Sequence, residues 1–181
     1  LNGSETEALG RNPHLKQTRM VVETADLLLV VWTGERARGA GGTADAVRHA
    51  LERGVTMVDT AELYGTYPHI REALNGFTGD VFLATKTHGA TAADARAHVE
   101  RALRELGRER LDIVHIHGAR LADPFADRAA VLDELVAMKG EGKIAHVGLS
   151  SHYVAAFRRA ASHSAIEVIH PLINRTGTVG R

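Results

Sequence analysis

The sequence predicts an α/β fold carried by a parallel sheet, on three observations. Six short apolar runs, DLLLVVW (26–32), VTMVDT (55–60), VFLATK (81–86), LDIVHIH (111–117), IAHVGLS (144–150) and IEVIHPLI (166–173), are rich in Val, Ile and Leu without clean alternation. Strands covered on both faces have that pattern. Helix-period segments lie between the runs, at about 44–53, 67–75, 91–107, 127–140 and 153–162. Gly54, Gly107 and Gly142 stand where helix C-caps belong. The rhythm is β-α repeated with short connections, and right-handed crossovers wind it either as a barrel sector or as a doubly wound sheet. Periodicity leaves both open.

Taken in order, the elements begin with a candidate helix at 13–25, opened by Pro13, behind a polar stretch at 1–12 that reads as a loop or frayed end. The first run follows and closes on Trp32, read as a buried ring at the rim of the strand. A Gly-Gly-Thr turn, Gly41, Gly42 and Thr43, then precedes the first helix of the repeat. In the helix expected at 91–107, Val99, Ala102, Leu103 and Leu106 fall on one stripe, while Glu100, Arg101, Arg104 and Glu105 face away. The chain starts at Leu1 without an initiator Met and stops at Arg181 just past a strand-like segment, so truncation at one or both ends is expected.

At 181 residues one well-buried domain is the expectation. Lys plus Arg and Asp plus Glu both number 22, and no basic block stands out. Nothing therefore points to a nucleic-acid footprint or an anionic membrane surface, and a small molecule is the expected partner. No window reaches the roughly 18 apolar residues of a membrane span, and no signal-peptide pattern opens the chain. A cytoplasmic location follows by default. The absence of Cys excludes disulfides, thiolate nucleophiles and thiolate metal ligation within the chain.

The awkward polar residues fall at strand ends. Asp59 closes the second run, Lys86 the third and His117 the fourth, and Tyr64 lies in the loop past the second. In a parallel βα array the C-terminal strand ends open on one face, so these four residues are expected to converge. Their chemistry fits one task. A Lys ammonium within reach would lower the phenol of Tyr64 from its ordinary pKa of about 10, with Asp59 holding that ammonium. A carbonyl oxygen between Tyr64 and His117 would be polarised as hydride reaches its carbon, and the phenol would protonate the alkoxide. Hydride needs a carrier, because no side chain supplies it.

The stretches GVTMVDTAELYG, VFLATK, LDIVHIHG and GKIAHVGLSSH resemble, in order and spacing, the aldo-keto reductases. The resemblance covers about residues 44–175. It implies a (β/α)8 barrel, here a partial one with six βα units, and reduction of an aldehyde or ketone with NADPH. It also implies that Asp59, Tyr64, Lys86 and His117 are the catalytic tetrad. On the same resemblance Ser150, Ser151, His170 and Asn174 hold the nicotinamide carboxamide. Ser151 stands where the family has Asn, and His170 where it has Gln. The family's last two βα units, which hold the pyrophosphate and the 2′-phosphate, would lie beyond Arg181.

Upstream of Gly54 the likeness changes. The stretch at about 11–54 resembles the end of a SLOG-type nucleotide-binding Rossmannoid, with an Asn-bearing helix, an apolar strand ending in Trp and Gly, and the Gly-Gly-Thr turn. That resemblance implies phosphate binding by Gly41, Gly42 and Thr43 at a helix N-terminus. Residues 1–43 are accordingly read as an atypical N-terminal segment and 44–181 as the barrel portion, and a nucleotide-sensing module or an inactive chimeric fragment is the alternative function. His115 is given a structural role, packing under a helix while His117 reaches the mouth. His69, His88, His146, His152 and His163 are read as surface or packing residues, and no metal ligand is assigned. The sequence leaves the carbonyl substrate and the oligomeric state open.

Overall fold

A computed structural model describes residues 28–29, 43–54 and 56–172. The expected helix at 13–25, the loop at 1–12, Trp32, Gly41, Gly42 and Asn174 lie outside the described residues. The chain divides into two compact units, Leu1–Thr60 with Tyr64–Phe82, and Ala61–Leu63 with Leu83–Arg181.

In the first unit, β1 (Leu28–Leu29) pairs in parallel with β2 (Met57–Asp59), Leu29 opposite Asp59. Helix α1 (Thr43–Glu52) packs on α2 (Tyr67–Leu74). The contact is apolar: Val47, Ala50 and Leu51 on α1 and Tyr67, Ile70 and Ala73 on α2 are all buried. Gly54 ends the α1 region with φ +85°, the left-handed conformation that a C-terminal glycine adopts without a Cβ penalty. Between β2 and α2 the chain makes a 3-10 turn, Glu62–Tyr64. The hydroxyls of Thr60 and Thr66, both buried, are hydrogen-bonded across this connection, and Gly65 takes φ +64°.

The second unit is a parallel sheet, β3 (Phe82–Thr87), β4 (Leu111–Gly118), β5 (Ile144–Ser151) and β6 (Val168–Pro171), paired in sequence order. Helix α3 (Ala92–Leu106) shows how local chemistry sets the bounds. Thr91 Oγ1 accepts the Asp94 N–H at 3.1 Å, while the Asp94 carboxylate accepts the Thr91 and Ala90 N–H groups at 3.0 and 3.1 Å. This capping box starts the helix. Gly107, at φ +67°, ends it, and Arg108 N–H reaches back to the Leu103 carbonyl at 2.9 Å. Of the expected stripe, Val99, Ala102 and Leu106 are buried, together with Ala95, while Leu103 is only half-buried.

The helix expected at 127–140 is two helices, α4 (Pro124–Asp127) and α5 (Ala129–Gly140). Asp123 accepts the N–H groups of Phe125 and Ala126, and Pro124 sits in the first turn, so a helix begins earlier than its apolar period suggests. Arg128, at φ −132°, interrupts it. Helix α5 buries Val131, Leu132, Leu135 and Met138 against α3 and the sheet. A last helix, α6 (Val154–Ala160), covers β5 and β6 through Ala156 and Ala160. At the outer seam Arg96 binds Glu134 and Glu141, and Lys143 binds Glu100 and Glu141.

Candidate active site

In the first unit, Asp59 is the last residue of β2 and is 1% exposed. Tyr64 ends the 3-10 turn, held between the Thr60–Thr66 hydroxyl pair and the left-handed Gly65. Burial, and then the nearby Asp59 carboxylate, push the Tyr64 phenol above its ordinary value. This reverses the lowering expected from the sequence: desolvation and a neighbouring anion both disfavour the phenolate. Tyr64 therefore keeps its proton throughout the neutral range.

In the second unit, the strand period places a row of polar residues on one face. Lys86 on β3 is in register with His115 on β4 and, through it, with Gly148 on β5. One step further along, His117 is in register with Ser150, and Ser150 with His170 on β6. Residues two apart on a strand share a face, so His115 and His117 do not point to opposite sides as expected. They differ in depth. His115 is 1% exposed, with its ring edge-on to His170 at 5.5 Å between centroids, whereas His117 is half-buried.

Electrostatics follow from that stacking of rows. Lys86 is itself 3% exposed. Desolvation, then the positive potential of His170, Lys86 and His117, lower His115 to about 3. His117 is lowered to about 4 by desolvation and then by Lys86, His88, His152 and His170. Both imidazoles are neutral at neutral pH. A neutral ring can donate one N–H to an oxygen without carrying a charge of its own.

Gly148 makes the deep row possible. A Cβ there would come to 2.3 Å from His115 Nδ1 and 2.8 Å from the Val168 carbonyl oxygen. Gly148→Ala is therefore expected to cost about 1–3 kcal/mol by overpacking, seen as a lower urea midpoint. Combining it with His115→Ala should recover part of the loss, because the two changes share one contact.

Among the other residues read from the sequence, Ser150 is 8% exposed and Ser151 is fully buried, with its Oγ accepting the Tyr153 N–H at 3.0 Å. Thr43 is the first residue of α1. A grouping that the sequence reading missed is Glu62, His88 and His98, assembled from the 3-10 turn, the loop after β3 and α3.

The sequence profile of the Aldo/keto reductase family matches residues 41–174, a stretch that takes in the Gly-Gly-Thr turn as well as all the strands from β2 onward. Methylglyoxal reductase YeaE of Escherichia coli (strain K12) is 32% identical over 125 residues, which are 66% of this chain and 43% of that protein. Among solved structures, the holo form of aldo-keto reductase AKR11C1 from Bacillus halodurans superposes with a TM-score of 0.60 at 26% identity, over 72% of this chain and 50% of that one. The Bombyx mori aldo-keto reductase AKR2E4, solved in complex with NADP, superposes with a TM-score of 0.62 at 17% identity, over 80% and 54%. The chain spans about half the length of these relatives, and its fold is the corresponding part of theirs, a partial (β/α)8 barrel. No helix among the described residues is long and apolar enough to cross a membrane. The chain belongs to the aldo/keto reductase family.

Proposed function

We propose that the protein reduces an aldehyde or ketone to an alcohol with NADPH, with Tyr64 as proton donor, His117 orienting and polarising the carbonyl oxygen, and Lys86 and Asp59 setting the electrostatics. The observation that carries this reading is the set of protonation states. Tyr64 is held protonated and His117 is held neutral, in a member of a carbonyl-reducing family. NADPH supplies the hydride when bound. The rest of the chemistry belongs to the chain. The N–H of a neutral His117 donates to the carbonyl oxygen and makes its carbon more electrophilic. As negative charge grows on that oxygen, the phenol of Tyr64 delivers its proton, a downhill transfer because an alkoxide is a far stronger base than a phenolate. The buried Lys86 ammonium favours developing negative charge in the same unit as His117.

The donor chemistry of β5 and β6 suits a nicotinamide carboxamide, which offers one acceptor and two donors. Ser150 and His170, side by side in register, can each donate or accept. Ser151 accepts the Tyr153 N–H and keeps its own hydroxyl proton, so it is proposed as a further contact on the strand end. Asn174 is proposed as a further contact from the family resemblance, and NADPH rather than NADH from the same source. A small dicarbonyl is a reasonable first substrate to try, given the methylglyoxal reductase relative. A cytoplasmic location is part of the same proposal.

The test is aldehyde-dependent consumption of NADPH by the full chain, with methylglyoxal and simple aliphatic and aromatic aldehydes. Consumption above the protein-free and aldehyde-free controls supports the reading. Consumption equal to those controls across the panel contradicts it.

A further inference from the structure

We propose that Glu62, His88 and His98 form a site for a divalent transition cation of the zinc class. Each side chain offers one ligand atom, and the three atoms lie within 4.8 Å of one another. All three belong to the second unit. None of them takes part in the chemistry proposed above. One carboxylate oxygen and two imidazole nitrogens form a donor set that suits zinc, and three protein ligands leave a position for water.

Each ligand has a second partner that aims it. Arg101 Nη1 donates to Glu62 Oε1 at 2.8 Å, and Arg101 is itself tied to Glu105. That contact takes one carboxylate oxygen and turns the other, Oε2, toward the imidazoles. Oε2 is fully shielded from solvent and has no hydrogen-bond partner. It lies 2.8 Å from His88 Nδ1, an ion-pair contact when that ring is protonated but not a hydrogen bond. A buried carboxylate oxygen without a hydrogen bond is costly, and a cation held by it and by the two imidazoles would satisfy it with both rings neutral.

His98 is aimed in a similar way. Its Nδ1 is 2.8 Å from Thr87 Oγ1, and that buried hydroxyl also accepts the Gly89 N–H at 3.1 Å. In the tautomer in which Nδ1 donates to Thr87, Nε2 carries the lone pair, the arrangement by which a second partner fixes a metal-binding His. The His88 and His98 rings are stacked, 4.8 Å between centroids with 28° between planes.

Tetrahedral zinc with bonds of about 2.0–2.2 Å sets its ligand atoms roughly 3.4 Å apart, so Glu62 Oε2 and His88 Nδ1, at 2.8 Å, must open slightly as the cation enters. The His88 side chain is 42% exposed on the loop after β3, so it can turn without disturbing the core. A bound cation would tie the 3-10 turn, that loop and the face of α3 together.

The experiment is calorimetric titration of the full chain with zinc chloride at neutral pH, repeated with Co2+ for its visible absorption. The expected result is one zinc per chain and a Co2+ spectrum of a low-coordinate nitrogen and oxygen site. Glu62→Gln and His98→Gln should each weaken binding by about tenfold or more. Thr87→Val, which keeps the residue's shape and removes the partner of His98, should also weaken it. This gives a reading that does not depend on how the ligand variants fold. His146→Gln, an exposed side chain near the start of β5, should leave binding unchanged. No saturable binding, loss of binding in His146→Gln equal to that in His98→Gln, or full binding in Thr87→Val and His98→Gln would overturn the proposal.

Discussion

Tyr64→Phe is expected to lower carbonyl reduction by roughly 10²- to 10⁴-fold, the usual size of a lost general acid, while leaving the fold and cofactor affinity intact. The change removes one oxygen. The Thr60–Thr66 hydroxyl pair and the left-handed Gly65 hold the loop by contacts that the substitution does not touch. Burial and Asp59 hold the phenol protonated in the resting protein, so what is lost is the proton itself. The expected kinetic signature is a fall in kcat with little change in KM, because the proton moves only as charge develops in the transition state. A Phe variant as active as the parent would remove Tyr64 from the mechanism.

The second large effect is on stability against pH. His115 has a folded-state pKa of about 3, below the ordinary value of about 6.5 in an unfolded chain. Above about pH 6.5 the ring is neutral in both states and its contribution to stability is complete. As pH falls below that value the unfolded chain takes up the proton first, so stability is lost progressively until the folded-state pKa is passed. The full difference is on the order of 5 kcal/mol, of which about 2 kcal/mol should be gone by about pH 5, before ordinary carboxylates titrate. His117, lowered to about 4, acts in the same direction, with a smaller effect because its ring is only partly shielded from solvent. Urea unfolding at about pH 7.5 and pH 5 measures the loss. In His115→Asn the difference between the two pH values should shrink, whatever the variant's stability at either one. An unchanged difference would mean that the fold does not lower the pKa of His115.

Much of the second unit is legible in the sequence. The unalternating runs at 81–86, 111–117 and 144–150 coincide with β3, β4 and β5, because strands covered on both faces lose the polar alternation that would blur them with loops. Thr91 and Gly107 mark the bounds of α3 for reasons readable one residue at a time. The start of α4 is also written in the chain, as Asp123-Pro124, a capping signal that apolar spacing does not register, so the helix begins earlier than the expected 127. The face shared by His115 and His117 follows from the two-residue period alone. Their different depths do not, because they depend on the space that Gly148 opens on the next strand.

The shift of Tyr64 was misjudged because its sign depends on burial and on which charge lies nearest, and neither is a property of the sequence pattern. Glu62, His88 and His98 escaped notice for a related reason. They come from a turn, a loop and a helix, with no spacing that a motif would capture, and only the fold brings their ligand atoms together. Asp59, Tyr64, Lys86 and His117, by contrast, could be singled out as unusual polar residues at or just past strand ends before any coordinates were known.

The central claim is direct reduction of a carbonyl by hydride from the nicotinamide, with Tyr64 supplying the proton. Incubating the full chain with methylglyoxal and NADPH deuterated at the transferable nicotinamide position, then weighing the product by mass spectrometry, tests it most directly. The account predicts an alcohol carrying one deuterium on the former carbonyl carbon, formed by the parent protein and not by Tyr64→Phe. Absence of alcohol, or alcohol without deuterium, would contradict it.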